Sequence, residues 1–133
     1  MRVYRFETSD RQGVFTSGLI GAACSKVVQR KGKDYWSDCK EPCPYRHPNP
    51  YTDVPDWGLH NYSSDFHCAC SSVEHLLAWF DSEAVRVEMK ALGAVMAVYE
   101  VPEADVLQGA AQIMFRRSTA TEVERLPVPT LTD

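Results

Sequence analysis

Phe66-His67-Cys68-Ala69-Cys70-Ser71-Ser72-Val73-Glu74-His75-Leu76-Leu77-Ala78-Trp79-Phe80 is the stretch on which the fold turns, because two periodicities meet inside it. Phe66, Cys68 and Cys70 alternate with His67, Ala69 and Ser71, the pattern of a strand with one buried face. Val73, Leu76, Leu77 and Phe80 then fall at i, i+3, i+4 and i+7, one apolar stripe of a helix. Ser71 stands three residues before Glu74, which predicts a capping box at the helix start. A strand running straight into a helix presents free amides and a positive dipole end. Such a junction holds a phosphate or carboxylate, or is a plain structural corner.

Working outward, Met1 to Glu7 alternates, with Met1, Val3 and Arg5 on one side and Arg2, Tyr4 and Phe6 on the other. Either side can meet a core. Thr8 to Gly13 is turn chemistry. Ser17 to about Arg30 repeats with helical period and Gly32 is a natural stop. Downstream, Asp81 or Ser82 caps a second helix through Val85, Met89 and Leu92, closed by Gly93. Ala94 to Val101 reads as a strand ended by Pro102, Glu103 to Gly109 as turns, and Ala110 to Arg116 as a last strand. From Thr119 the chain is polar and contains proline, which predicts a flexible tail over 119–133.

Between the first helix and the central strand lies a long loop, 33–65, with five prolines (Pro42, Pro44, Pro48, Pro50, Pro55) and six large aromatics. It is too aromatic to be disordered, which predicts an ordered loop packed by its own side chains. His47-Pro48-Asn49-Pro50-Tyr51-Thr52-Asp53 is its stiffest part. That segment holds His47 and Asp53 over a pocket, or uses them to keep an irregular loop in shape. The sum is an α+β fold: a small mixed or antiparallel sheet with about three helices in one domain, 1–118.

The chain has 133 residues, 44% apolar, and a net charge of −4. That suits one core and excludes a general nucleic-acid binder, since no basic stripe exists to neutralise phosphates. No run of about 18 apolar residues and no leader pattern occurs, which predicts a soluble protein of the bacterial host cytoplasm with no membrane contact. Five cysteines in such a chain are expected to stay thiols. Cys39, Cys43 and His47 with His67, Cys68 or Cys70 have the residue types for zinc. Their spacing gives no pair of matching knuckles, so no metal is expected.

Three strands carry one polar residue on an apolar face: Arg5 beside Met1 and Val3, Glu100 beside Met96 and Val98, and Gln112 beside Ala110 and Met114. Buried charge is costly unless paired, so Arg5 and Glu100 are either partners or jointly address a ligand, or else Glu100 emerges into solvent before Pro102.

Tyr4-Arg5, Gly13-Val14-Phe15, His47-Pro48-x-Pro50-x-x-Asp53, Cys70-x-Ser72-x-Glu74-His75-Leu76-x-x-Trp79-Phe80, Tyr99-x-Val101-Pro102 and Gly109-x-x-Gln112-x-x-Phe115 together resemble a family of small proteins found in phages and prophages. The layout also resembles a minimal ADP-ribosyltransferase fold. That resemblance implies NAD as substrate, a host target, and the following roles. Arg5 would hold the pyrophosphate or ribose, with His47 nearby. Ser71 or Ser72 would orient the ribose, and Glu100 would bind its 2′-hydroxyl and stabilise the oxocarbenium-like centre. Gln112 stands where a second acid is expected, and Val98 where an acid or amide precedes the glutamate. The alternative is a phage-encoded inhibitor of host defence, for example an anti-CRISPR, working through an acidic and aromatic surface without catalysis.

Overall fold

In the computed structural model, residues 1–15, 17–31 and 49–131 are described. The architecture is α+β, built on two three-stranded antiparallel sheets. The first sheet joins β1 (Arg2–Glu7), β3 (Val95–Glu100) and β6 (Thr121–Pro127) in the order β1-β3-β6. The second joins β2 (Phe66–Ala69), β5 (Ile113–Arg116) and β4 (Val106–Gln108) in the order β2-β5-β4. Helices α1 (Leu19–Lys31), α3 (Val73–Trp79) and α4 (Glu83–Ala91) agree with the three expected from periodicity, and α2 (Pro50–Asp53) adds a single turn.

Alternation explains the layering. On β1, Phe6 points to the helices, where it joins Ile20, Val27, Leu76, Val85, Met89 and Met96 in the largest core cluster. Val3, from the opposite face, packs with Ala69, Ala97, Tyr99, Ile113 and Phe115 between the two sheets. A third cluster of Val54, Trp57, Phe66, Leu107 and Met114 covers the far face of the second sheet with the 50–60 segment. β3 is buried on both faces, which is why it reads as an unbroken apolar run.

Several expectations are corrected. The helix after the central strand is capped by Ser72, whose hydroxyl accepts the His75 N–H at 3.0 Å, so Ser71 and its capping box with Glu74 fall one residue short. Of the two caps open for α4, Ser82 is the one used, and Gly93 closes the helix as expected, with φ of +91°. The span read as turns includes β4, and the last strand of the second sheet begins at Ile113, later than Ala110, because 109–112 is held as a turn. The expected tail over 119–133 contains β6, whose register runs from Val95 opposite Pro127 to Glu100 opposite Thr121. Strand pairing, invisible in a polar sequence, places it. Within the 33–65 loop, Pro50–Asp53 is α2 and Pro55–His60 a 3-10 helix, while 32–48 lies outside the described residues.

Candidate functional site

Among the described residues β1 and β2 meet at one antiparallel bridge, Tyr4 with Cys70, where Tyr4 N–H donates to Cys70 O at 2.8 Å and Cys70 N–H to Tyr4 O at 2.9 Å. Three residues on, Glu7 bridges Gly13 instead, as the 8–13 turn folds back. Between these points β1 changes neighbour and the strands part. A cavity of about 500 Å³ opens in the gap, lined by Arg5 and Phe6 of β1 and by His67, Cys68 and Ala69 of β2.

Its other walls are aromatic. Phe15, Trp79 and Phe80 come from the turn and from α3, and Trp57 from the 3-10 helix. Phe15 stands edge-on to Trp79 with ring centroids 6.4 Å apart, and Phe80 lies 4.9 Å from Phe6 in a T-shaped contact. The Trp79 indole N–H donates to Ala111 O at 2.9 Å, fixing the ring. Gln12, Gln112 and His67 supply neutral polar edges, and no aspartate or glutamate is among the described lining residues.

The charge at this cavity is Arg5, 8% exposed. Its Nε lies 3.2 Å from Glu7 Oε2, close enough for an ion pair, yet the alignment makes no hydrogen bond. Nε and Nη1 are both buried without a hydrogen-bond acceptor among the described residues. Glu7 is committed elsewhere: it accepts Tyr99 Oη at 2.8 and 3.0 Å and Arg125 Nη1 at 2.9 Å. Burial pushes the Arg5 guanidinium below its ordinary range, with Glu7 opposing that shift. Burial also lowers His67, helped by Arg5 and Arg117. The thiols go the other way: burial pushes Cys68 up to about 11 and Cys70 to about 12. Burial therefore favours the protonated thiol at both positions near neutrality.

The expected site residues divide. Arg5 and Gln112 line the cavity. Glu100 does not: it sits opposite Arg2 at the other end of the β1 ladder, 54% exposed, 3.1 Å from the Met1 ammonium and 3.6 Å from Arg2 Nε. Of the three alternatives for Glu100, emergence into solvent before Pro102 is the one observed, and Arg5 pairs with Glu7, two residues along one strand face. Alternation alone could have found that partner. Ser71 is exposed and Ser72 is used as a cap, so neither lines the gap. His47, Cys39 and Cys43 lie outside the described residues. Asp53 is a staple: its carboxylate accepts the N–H of Ala111 at 3.1 Å and of Gln112 at 3.1 Å, which brings Gln112 to the cavity wall. Among the described residues no group of three or more His, Cys, Asp or Glu could hold a metal ion, and no helix is long and apolar enough to cross a membrane.

Fold and cavity define a small two-sheet α+β protein with an aromatic pocket built on one buried arginine. The chain belongs to the Bacteriophage T4 Y00F protein family, whose profile matches residues 1–129. A relative in Enterobacteria phage T4, the "uncharacterized 19.7 kDa protein in motB-dexA intergenic region", is 37% identical over 67 residues. That match covers 50% of this chain and 37% of the relative. No solved structure matches the chain, and nothing in these comparisons supports an ADP-ribosyltransferase fold.

Proposed function

We propose that this phage-family protein binds a small, flat organic molecule in the cavity between β1 and β2, without chemically altering it. The observation that carries this reading is the aromatic gap of about 500 Å³ with a buried arginine inside, within the size range of small-molecule sites. Flat rings gain from edge and face contacts with Phe6, Phe15, Trp79 and Phe80. Turnover is disfavoured because the described lining residues include no carboxylate for general base or oxocarbenium work, and burial keeps the lining thiols protonated.

The test uses Trp57 and Trp79, both in the cavity wall, as reporters. Titration with flat aromatic probes is expected to quench tryptophan fluorescence saturably at one probe per chain; linear, unsaturable quenching would remove the reading. NAD, implied by the transferase resemblance, belongs in the same titration. Nicotinamide release that disappears in Glu100→Gln would restore an NAD-dependent ADP-ribosyltransferase acting on a host target.

A second reading is favoured by a different surface. Tyr51 and Tyr62, 56% and 50% exposed, stack around Trp57 at centroid distances of 4.7 and 5.4 Å, beside Leu59 at 82% exposure. Asn61 and Tyr62 both hold positive φ, +56° and +51°, to fold Tyr62 back on Trp57. Rigid exposed aromatics suit a protein interface, as in an inhibitor of host defence of the anti-CRISPR kind. Loss of a host partner on Tyr51→Ala with Tyr62→Ala, with probe titration unchanged, would select this reading.

A further inference from the structure

We propose that the cavity's ligand is a flat organic monoanion, its single carboxylate-type charge held by Arg5 and its ring held by the aromatic wall. The proposal rests on the cavity-binding reading above and adds the charge and chemical class of what is bound.

Arg5 has no carboxylate of its own. Glu7, only 1% exposed, is shared by Arg125 and Arg5 and also accepts the Tyr99 hydroxyl. Arg117 lies near enough to bear on Arg5 with the same sign. Among the described residues that line the cavity, Arg5 is the one cation.

A buried cation that shares its counter-ion is costly, and guanidinium nitrogens without acceptors add to that cost. Arg5 shares Glu7 with Arg125, and its Nε and Nη1 are buried and lack a hydrogen-bond acceptor among the described residues. A carboxylate seated against the guanidinium from the cavity side supplies negative charge that the shared Glu7 does not fully provide. The surrounding groups select the same charge. No described lining residue is acidic, and the nearby Glu7 and Asp53 carboxylates are occupied by Tyr99 and Arg125 and by the Ala111 and Gln112 amides. His67 is held neutral by burial and by Arg5 and Arg117, so it adds a hydrogen-bonding edge without a second positive charge. Among the described lining residues one cation, Arg5, matches one negative charge. A phosphate ester with two charges would leave an excess negative charge in an apolar gap.

Three shape-matched probes test this on the unmodified protein at pH 7.5: 2-naphthoate, 2-naphthamide and 2-naphthyl phosphate, read by tryptophan quenching and by calorimetry. The expected result is that 2-naphthoate binds at least tenfold more tightly than either of the others. Arg5→Met is expected to abolish that preference, leaving naphthoate and naphthamide within about twofold of each other, with circular dichroism reporting that the variant is folded. Equal affinity for amide and carboxylate in the unmodified protein overturns the charge assignment while leaving a binding cavity. Preference for the phosphate overturns the monoanion. Absence of saturable binding by all three overturns both this inference and the reading it rests on.

Discussion

Tyr99 Oη reaches both carboxylate oxygens of Glu7, at 2.8 and 3.0 Å, from the adjacent strand of the first sheet. The contact is fully buried, since Glu7 is 1% and Tyr99 0% exposed. It fixes the carboxylate that two arginines share, and so decides that Arg5 is held beside the cavity without being fully neutralised.

Glu7→Gln is expected to destabilise the fold by about 3–5 kcal/mol, the scale for removing one partner of a buried ion pair. Both Arg5 and Arg125 lose their shared anion. Adding Arg5→Met should recover part of that loss, because it removes one stranded charge. Urea unfolding of the two single variants and the double variant reads the coupling.

Gly109→Ala is expected to cost roughly 1–3 kcal/mol. A Cβ there would lie 2.6 Å from Asp53 Oδ2 and 2.6 Å from the Gln112 carbonyl oxygen, and backbone cannot swing aside. Asp53→Ala loses the staple to Ala111 and Gln112 directly. Combining the two should cost less than their sum, since both act on one turn; thermal unfolding checks this.

Ser72→Ala should lower stability by about 1 kcal/mol and Ser71→Ala by almost nothing. Only the Ser72 hydroxyl accepts the His75 amide, at 3.0 Å. Equal effects in chemical denaturation would place the cap elsewhere.

Stability is expected to decline in alkali over a defined window. Burial raises Cys24 and Cys68 from 9.0 to about 11, Cys70 from 9.0 to about 12, and Tyr99 from 10.0 to about 12. Each raised value means that the unfolded chain releases its proton first. The stabilisation is complete below about pH 9 and is lost as pH rises towards 11 to 12. His67 acts oppositely: its lowered value makes the folded state resist protonation, so stability falls as pH drops below 6.5. Melting temperatures from pH 5 to 11 read both arms. In a Cys39→Ser, Cys43→Ser variant, slow reaction of Cys68 and Cys70 with a disulfide reagent at pH 8, accelerating with urea, reads the first independently.

Local periodicity made much of the fold legible. The 66–80 stretch announced β2 and α3 because each carries its own apolar repeat, and Gly93 closes its helix as expected. What stayed hidden depends on distant pairing. β6 is polar and mostly exposed, and only the β3 ladder reveals it as a strand. At the site, Arg5 and Gln112 were visible as polar residues on apolar faces. Glu100 gave the same local signal, yet it lies at a strand end beside the Met1 ammonium, because antiparallel register sets it against Arg2. Motifs between Tyr4 and Phe115 carry the resemblance to phage proteins, and the family match extends it to residues 1–129.

Among the described residues Tyr4–Cys70 is the one backbone rung between the two sheets, and the cluster of Val3, Ala69, Tyr99, Ile113 and Phe115 glues them face to face beside it. The width of the gap is therefore set by side-chain volume in that seam. Trimming Ile113 or Phe115 would loosen the mouth from behind, although neither residue touches a guest.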